Sequence, residues 1–233
     1  ADGPCRATGW LASADTLASL DAVAALGCRT ARDGDAISVD PAGAPADLLR
    51  TAKEPLLIDC RNSGTTARLL CGLLAGWLPV GGPGVVLEGD ASLRRRPMGR
   101  VVEPLRAMGA DIEHLDAAGR LPLRVRGAAL RGCRHDLPVP SAQLKSALLL
   151  AGLHAAGETV VAGGGASRDH TERLLAAMGQ APRRGAGDAL AVGPVGRLRA
   201  YAIAVPGDPS TAAFFQVAAA LVPGSRLTVP GQS

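Results

Sequence analysis

The chain has 233 residues, 47% hydrophobic and 20% charged. That is enough for one large domain or two small ones with a sizeable core, and it excludes a disordered chain. A net charge of +4 fits a small anionic ligand, while an aromatic content of 2% and the lack of a dense basic run count against a nucleic-acid partner. No apolar run reaches the roughly 18 residues of a membrane span, so none is expected.

The opening segment, ADGPCRATGW, has neither the basic nor the apolar region of a signal peptide. It also lacks a starting Met, and the chain is expected to begin partway through a longer protein. Five cysteines at 5, 28, 60, 71 and 133 contain no C-x-x-C pair, so neither a zinc site nor a disulfide framework is read from them. Reduced cysteines used as small core residues fit a cytoplasmic protein.

In chain order, the first amphipathic helix is predicted in Ser13–Cys28, with Leu17, Leu20, Val23, Ala24 and Leu26 at helical spacing and glycine at its end. A strand follows at Ile37–Val39 and another at Leu56–Asp59. A helix over Gly64–Gly76 is almost wholly apolar after its first turn, so it is expected to be buried on most sides. Val85–Glu88 reads as a strand, Arg96–Asp111 as a second amphipathic helix, and Leu121–Val125 as a strand. A second apolar helix is predicted over Ser141–Ala156. Thr159–Val161, a third amphipathic helix from Arg168 to Gln180, and the strands Leu190–Val192 and Ala200–Val205 complete the pattern. The alternation predicts three repeated α/β units with apolar inner helices and amphipathic outer ones. Asp208-Pro209-Ser210 then opens a helix running to about Val222, followed by a strand from Arg226. This is the start of a fourth unit, so the expected division is 1–203 and 204–233, the latter being the start of a second domain.

Four polar clusters stand at helix starts. Asn62-Ser63-Gly64-Thr65-Thr66 is, taken alone, most simply a helix cap, although a helix N-terminus with a glycine also suits a closely approaching anion. Arg94-Arg95-Arg96-Pro97-Met98-Gly99-Arg100 carries four arginines in seven residues, which suit carboxylate or phosphate. Ser141-Ala142-Gln143-Leu144-Lys145 places two long polar side chains at the head of an apolar helix. Only Lys53 and Lys145 among 25 basic residues are lysine, which marks Lys145 as a short, specific reach; the functional reading of this cluster leads over a structural one. In Arg168-Asp169-His170, Arg168 is the better ligand candidate and His170 reads as a cap or packing residue. No motif for metal, triad or Walker chemistry is present.

The stretches NSGTTARLL, GDASLRRRPMGRVVEPLRAMGAD, PSAQLKSALLLAGL, SRDHTERLLAAMG and VPGDPSTAAFF, in this order, resemble the 5-enolpyruvylshikimate-3-phosphate synthase family. The resemblance implies an inside-out α/β fold of βαβαββ units with buried inner helices. It implies transfer of the enolpyruvyl group of phosphoenolpyruvate to the 5-hydroxyl of shikimate 3-phosphate, by addition and then elimination of phosphate, with no cofactor or metal. By motif match, Ser141, Ala142, Gln143 and Arg168 would bind shikimate 3-phosphate. Gly64, Arg96 and Gln143 would contact phosphoenolpyruvate, with Asn62 and Thr65 shaping that site. The family's acid/base groups match nothing in this chain, so 233 residues alone are expected to be inactive. Glycine at 64, where some glyphosate-tolerant relatives carry alanine, implies a glyphosate-sensitive enzyme. Arg61 departs from the glycine of many relatives. UDP-N-acetylglucosamine enolpyruvyl transferase is the nearest alternative, but its loop cysteine has no counterpart in Asp90–Gly99. A non-catalytic anion-binding module is the other alternative.

Overall fold

The computed structural model describes residues 1–41, 49 and 52–231. They form three four-stranded sheets around a helical interior. In the first sheet the chain runs through β1 (Cys5–Thr8), α1 (Ala14–Ala25), β2 (Arg29–Asp33) and β3 (Ala36–Asp40). The second unit is β4 (Leu56–Asp59), α2 (Gly64–Trp77), β5 (Val85–Glu88), a single turn α3 (Ala91–Arg94), α4 (Gly99–Ala107), β6 (Asp111–His114) and β7 (Leu123–Arg126). The third is β8 (Arg134–Asp136), α5 (Ala142–Gly152), β9 (Thr159–Ala162), α6 (His170–Ala177), β10 (Arg183–Arg184) and β11 (Leu190–Val192). Last come β12 (Ala202–Ala204) and α7 (Pro209–Leu221).

The sheets share one plan. Their orders are β12-β1-β3-β2, β4-β5-β7-β6 and β8-β9-β11-β10. In each, a parallel pair is followed by two antiparallel strands. The second and third units are complete βαβαββ units. In the first sheet the outer strand comes from the far end of the chain, β12, which pairs in register with β1 from Arg6 opposite Ala202 to Thr8 opposite Ala204.

The inner helices behave as their composition demands. α2 and α5 make the most extensive helix–helix contact of the fold. Gly72 permits it, because a Cβ there would lie 2.1 Å from the Ala147 carbonyl oxygen. Leu70, Cys71, Leu74 and Ala75 of α2 and Leu144, Ala147, Leu148, Leu149 and Ala151 of α5 are all buried in the common core. α4 packs against both inner helices, burying Val101, Val102 and Leu105.

Several boundaries differ from the sequence reading. The helix expected from Arg96 starts at Gly99, because Pro97 disfavours helical backbone at the residue before it. The short α3, capped by Asp90, precedes it and was not predicted. The strand expected at Leu121 starts at Leu123; Pro122 has no N–H to give a ladder. Residues 226–229 form no strand, contrary to expectation, and run irregularly beside α7. α1 is fixed by a capping box in which the Thr16 N–H bonds the Ser13 hydroxyl and the Ser13 N–H bonds the Thr16 hydroxyl.

Candidate functional site

Two helix N-termini, those of α2 and α5, come together with the segment 90–100. At α2, Ser63 is the N-cap, its hydroxyl accepting the Thr66 N–H at 3.2 Å. The Thr66 hydroxyl turns away to Ser19 of α1 at 2.7 Å, so it ties helices together. Gly64 and Thr65 occupy the first turn, where N–H groups point out of the helix.

Asn62 positions Arg96. Its Nδ2 donates to Asp90 Oδ2 at 2.7 Å, and its Oδ1 accepts from Arg96. Asp90, the α3 cap, is held below the usual carboxylate range by Asn62 first and by the Leu93 N–H second. The Arg96 guanidinium stands over Gly64: Nη1 is 3.3 Å from where a Cβ would be. Arg94 is committed elsewhere, forked onto Glu88 at 2.7 and 2.5 Å, so the arginine run divides between structure and site.

From α5, Gln143 reaches across. Its Nε2 donates to Thr65 Oγ1 at 2.8 Å, and its Oε1 accepts from Arg68 Nη1 at 2.8 Å. Ser141 caps α5, and Ala142 and Gln143 form its open first turn. Five of the expected residues, Asn62, Gly64, Thr65, Arg96 and Gln143, therefore lie together, in two hydrogen-bonded sets that meet at Gly64, with Ser141 and Ala142 at their edge. Arg168 does not hydrogen-bond into either. It lies exposed before α6, and it adds to the lowering of the Asp208 pKa, which the Thr211 hydroxyl and the Ser210 N–H chiefly cause.

The sequence reading passed over Arg68. It is buried one turn into α2 and donates to Gln143, to the Gly64 carbonyl and to the Pro97 carbonyl, the last two at 3.3 Å. Its pKa is lowered by burial first, then by the nearby charges of Arg100 and Arg96. The available signal was the one noted for Gln143 and Lys145: a long polar side chain in an otherwise apolar helix.

Lys145 itself is structural. Its Nζ meets Glu172 Oε1 at 2.5 Å, buried between α5 and α6, with the Gly164 carbonyl at 3.4 Å. Arg61 has φ +53°, in the left-handed region where glycine is at ease. Its side chain leaves the site and pairs with Asp21 of α1 at 2.5 Å. The neighbouring thiols are not nucleophiles: burial, reinforced by Asp59 and Glu88, pushes Cys60 up to about 12, and burial does the same to Cys71. Among the described residues no cluster of three or more His, Cys, Asp or Glu is placed to hold a metal. No described helix is long and apolar enough to cross a membrane.

Three sheets of one plan around buried helices define an α/β repeat protein. The family model for EPSP synthase (3-phosphoshikimate 1-carboxyvinyltransferase) matches residues 1–233. The chain is 48% identical over 235 residues to the 3-phosphoshikimate 1-carboxyvinyltransferase of Roseiflexus castenholzii, covering 99% of this chain and 52% of that one. The Thermus thermophilus protein of the same name is 48% identical over 231 residues, with the same coverage. An EPSP synthase structure from Acinetobacter baumannii superposes with a TM-score of 0.80 at 38% identity, covering 96% of this chain and 49% of that one. The chain belongs to the EPSP synthase family, and it spans about half the length of the curated relatives it matches.

Proposed function

We propose that these residues form the shikimate 3-phosphate-bearing part of an enzyme that transfers the enolpyruvyl group of phosphoenolpyruvate to the 5-hydroxyl of that substrate. Arg96, the Gln143 amide and the open N–H groups at Gly64 and Thr65 receive phosphoenolpyruvate, with Asn62 holding Arg96 in place. Ser141, Ala142, Gln143 and Arg168 receive shikimate 3-phosphate. Carbon–oxygen bond formation precedes loss of inorganic phosphate, and no cofactor takes part. The role of these residues is electrostatic: they offer fixed donors to charge that gathers on the departing phosphate. Acid/base groups are not assigned to this chain. A cytoplasmic setting goes with this reading and with five free cysteines.

One observation carries the reading. Arg68 lies close enough to Arg100 and Arg96 to feel their like charges, and the Arg96 and Arg68 guanidinium groups both approach Gly64, at a helix end that also favours anions. Such an arrangement costs free energy until an anion occupies it. Calorimetry with shikimate 3-phosphate tests the reading on the chain as it stands. Binding is expected, with Gln143→Ala or Arg168→Ala weakening it about tenfold or more, in line with roughly 1.5–3 kcal/mol for a hydrogen bond to a charged group. No binding, or binding indifferent to both substitutions, would overturn it.

A further inference from the structure

We infer that Arg68 is a positioning residue that fixes the orientation of the Gln143 carboxamide, so that this side chain presents a donor, not an acceptor, to the bound phosphoenolpyruvate. The inference rests on the function proposed above. A glutamine amide has two faces of opposite character, and a half-turn exchanges them. An anion needs the NH₂ face. Nothing in Thr65 decides the matter, because a hydroxyl both donates and accepts, and would satisfy either orientation of its 2.8 Å partner. A guanidinium, by contrast, only donates. With Arg68 Nη1 at 2.8 Å, the amide oxygen must face Arg68. That leaves Nε2 with one N–H on Thr65 and a second N–H free for a ligand.

The surroundings make Arg68 a rigid partner. It is buried, and the Gly64 and Pro97 carbonyls hold the same guanidinium. Its Nε has no hydrogen-bond partner and is itself buried, a costly placement for a residue that only fills space. Arg68 Nη1 also lies 2.6 Å from the position of a Cβ on Gly64. Arg68 thus backs both the glycine and the glutamine of the same site while lying behind them.

The test uses the full-length enzyme and two variants. Arg68→Met keeps a long apolar stem and removes every donor; Arg68→Lys keeps a side chain that can only donate. Arg68→Met is expected to raise the KM for phosphoenolpyruvate at least tenfold, and Arg68→Lys to stay within about threefold of the parent. The two variants should melt alike, since a merely structural role would not separate them. If the methionine variant does not fold, Arg68→Gln replaces it: glutamine can donate and accept, so it too frees the amide to turn. A second readout is made on the 233-residue chain by ¹⁵N NMR of the Gln143 side-chain amide. One orientation with distinct, exchange-protected N–H signals is expected in the parent and in Arg68→Lys, and averaging in Arg68→Met. Equal KM values for Met and Lys, or an unchanged Gln143 amide in Arg68→Met, would overturn the inference. A parent enzyme that binds no phosphoenolpyruvate would instead overturn the proposed function, and the NMR readout would still decide the role of Arg68.

Discussion

At the scale of single residues, Gly64 is the most constrained position of the site. It is buried at the helix end, and a Cβ there would meet Arg68 Nη1 at 2.6 Å and Arg96 Nη1 at 3.3 Å. The first contact cannot be relieved by a simple swing, because three acceptors hold the guanidinium of Arg68. Gly64→Ala is therefore expected to displace both arginines and raise the KM for phosphoenolpyruvate several-fold in the full-length enzyme. Glyphosate separates its two anionic ends by one more bond than phosphoenolpyruvate does, so its inhibition should weaken further than substrate binding. The parent should be glyphosate-sensitive. Steady-state kinetics with both ligands checks this; equal effects on the two, or none, would show that the site tolerates the methyl group. The polar clusters that open helices, as at Asn62, Gly64 and Gln143, were legible in the sequence, although the first reads most simply as a cap when taken alone. Arg68 was not, because it lies inside the apolar helical stripe, and only the fold brings Gln143 to it across 75 residues. The left-handed backbone of Arg61 was equally hidden, since φ is not written in a side chain.

At the scale of elements, the join between α5 and α6 depends on a buried charge pair. Lys145 and Glu172 meet at 2.5 Å, and Ser146 and Thr171 add a hydroxyl pair at 2.7 Å. Glu172 Oε2 has no partner, so the carboxylate depends on Lys145 for its charge. Lys145→Met would leave that carboxylate buried and unpaired, at a cost of about 3–5 kcal/mol. This is a large share of the roughly 5–15 kcal/mol that stabilises a domain. The double variant Lys145→Met/Glu172→Leu should recover most of the loss, as urea unfolding would reveal; no recovery would mean that packing, not charge, joins the helices. Lys145→Met should also weaken shikimate 3-phosphate binding, because Arg168 lies two residues before α6. The inner and outer helices were legible because a long apolar or amphipathic stripe has few other readings. The strands β2, β8 and β10 were not: RTARD, RHD and RR are polar and mostly exposed, and only their partners make them strands.

At the scale of the whole molecule, the first sheet is closed by two distant parts of the chain. β1 and β12 pair in parallel, and the Asp2, Arg6 and Val205 N–H groups bond the Leu198, Tyr201 and Thr8 carbonyls across the same seam. α7 lies beyond this seam and adds little to the core, since Ala212 is its one buried residue. Phe214 and Phe215 are 79% and 61% exposed, and Val217 and Leu221 are exposed too. We propose that the domain boundary lies just after β12; the division expected at 203/204 would fall inside that strand, before its last residue. Removing residues 207–233 should cost little: below about 1 kcal/mol, or under roughly 4 °C in the melting midpoint for a chain of this length. It should also lower the binding of an apolar dye, because the exposed face of α7 leaves with it. Ending the chain at residue 198 should do more harm. That cut removes β12, leaves the N–H and C=O groups of β1 without their parallel partner, and opens an edge in the first sheet. Melting curves and dye binding on the two shortened chains separate the cases. A midpoint that falls as far for the first cut as for the second would mean that α7 belongs to the same cooperative unit as the three sheets.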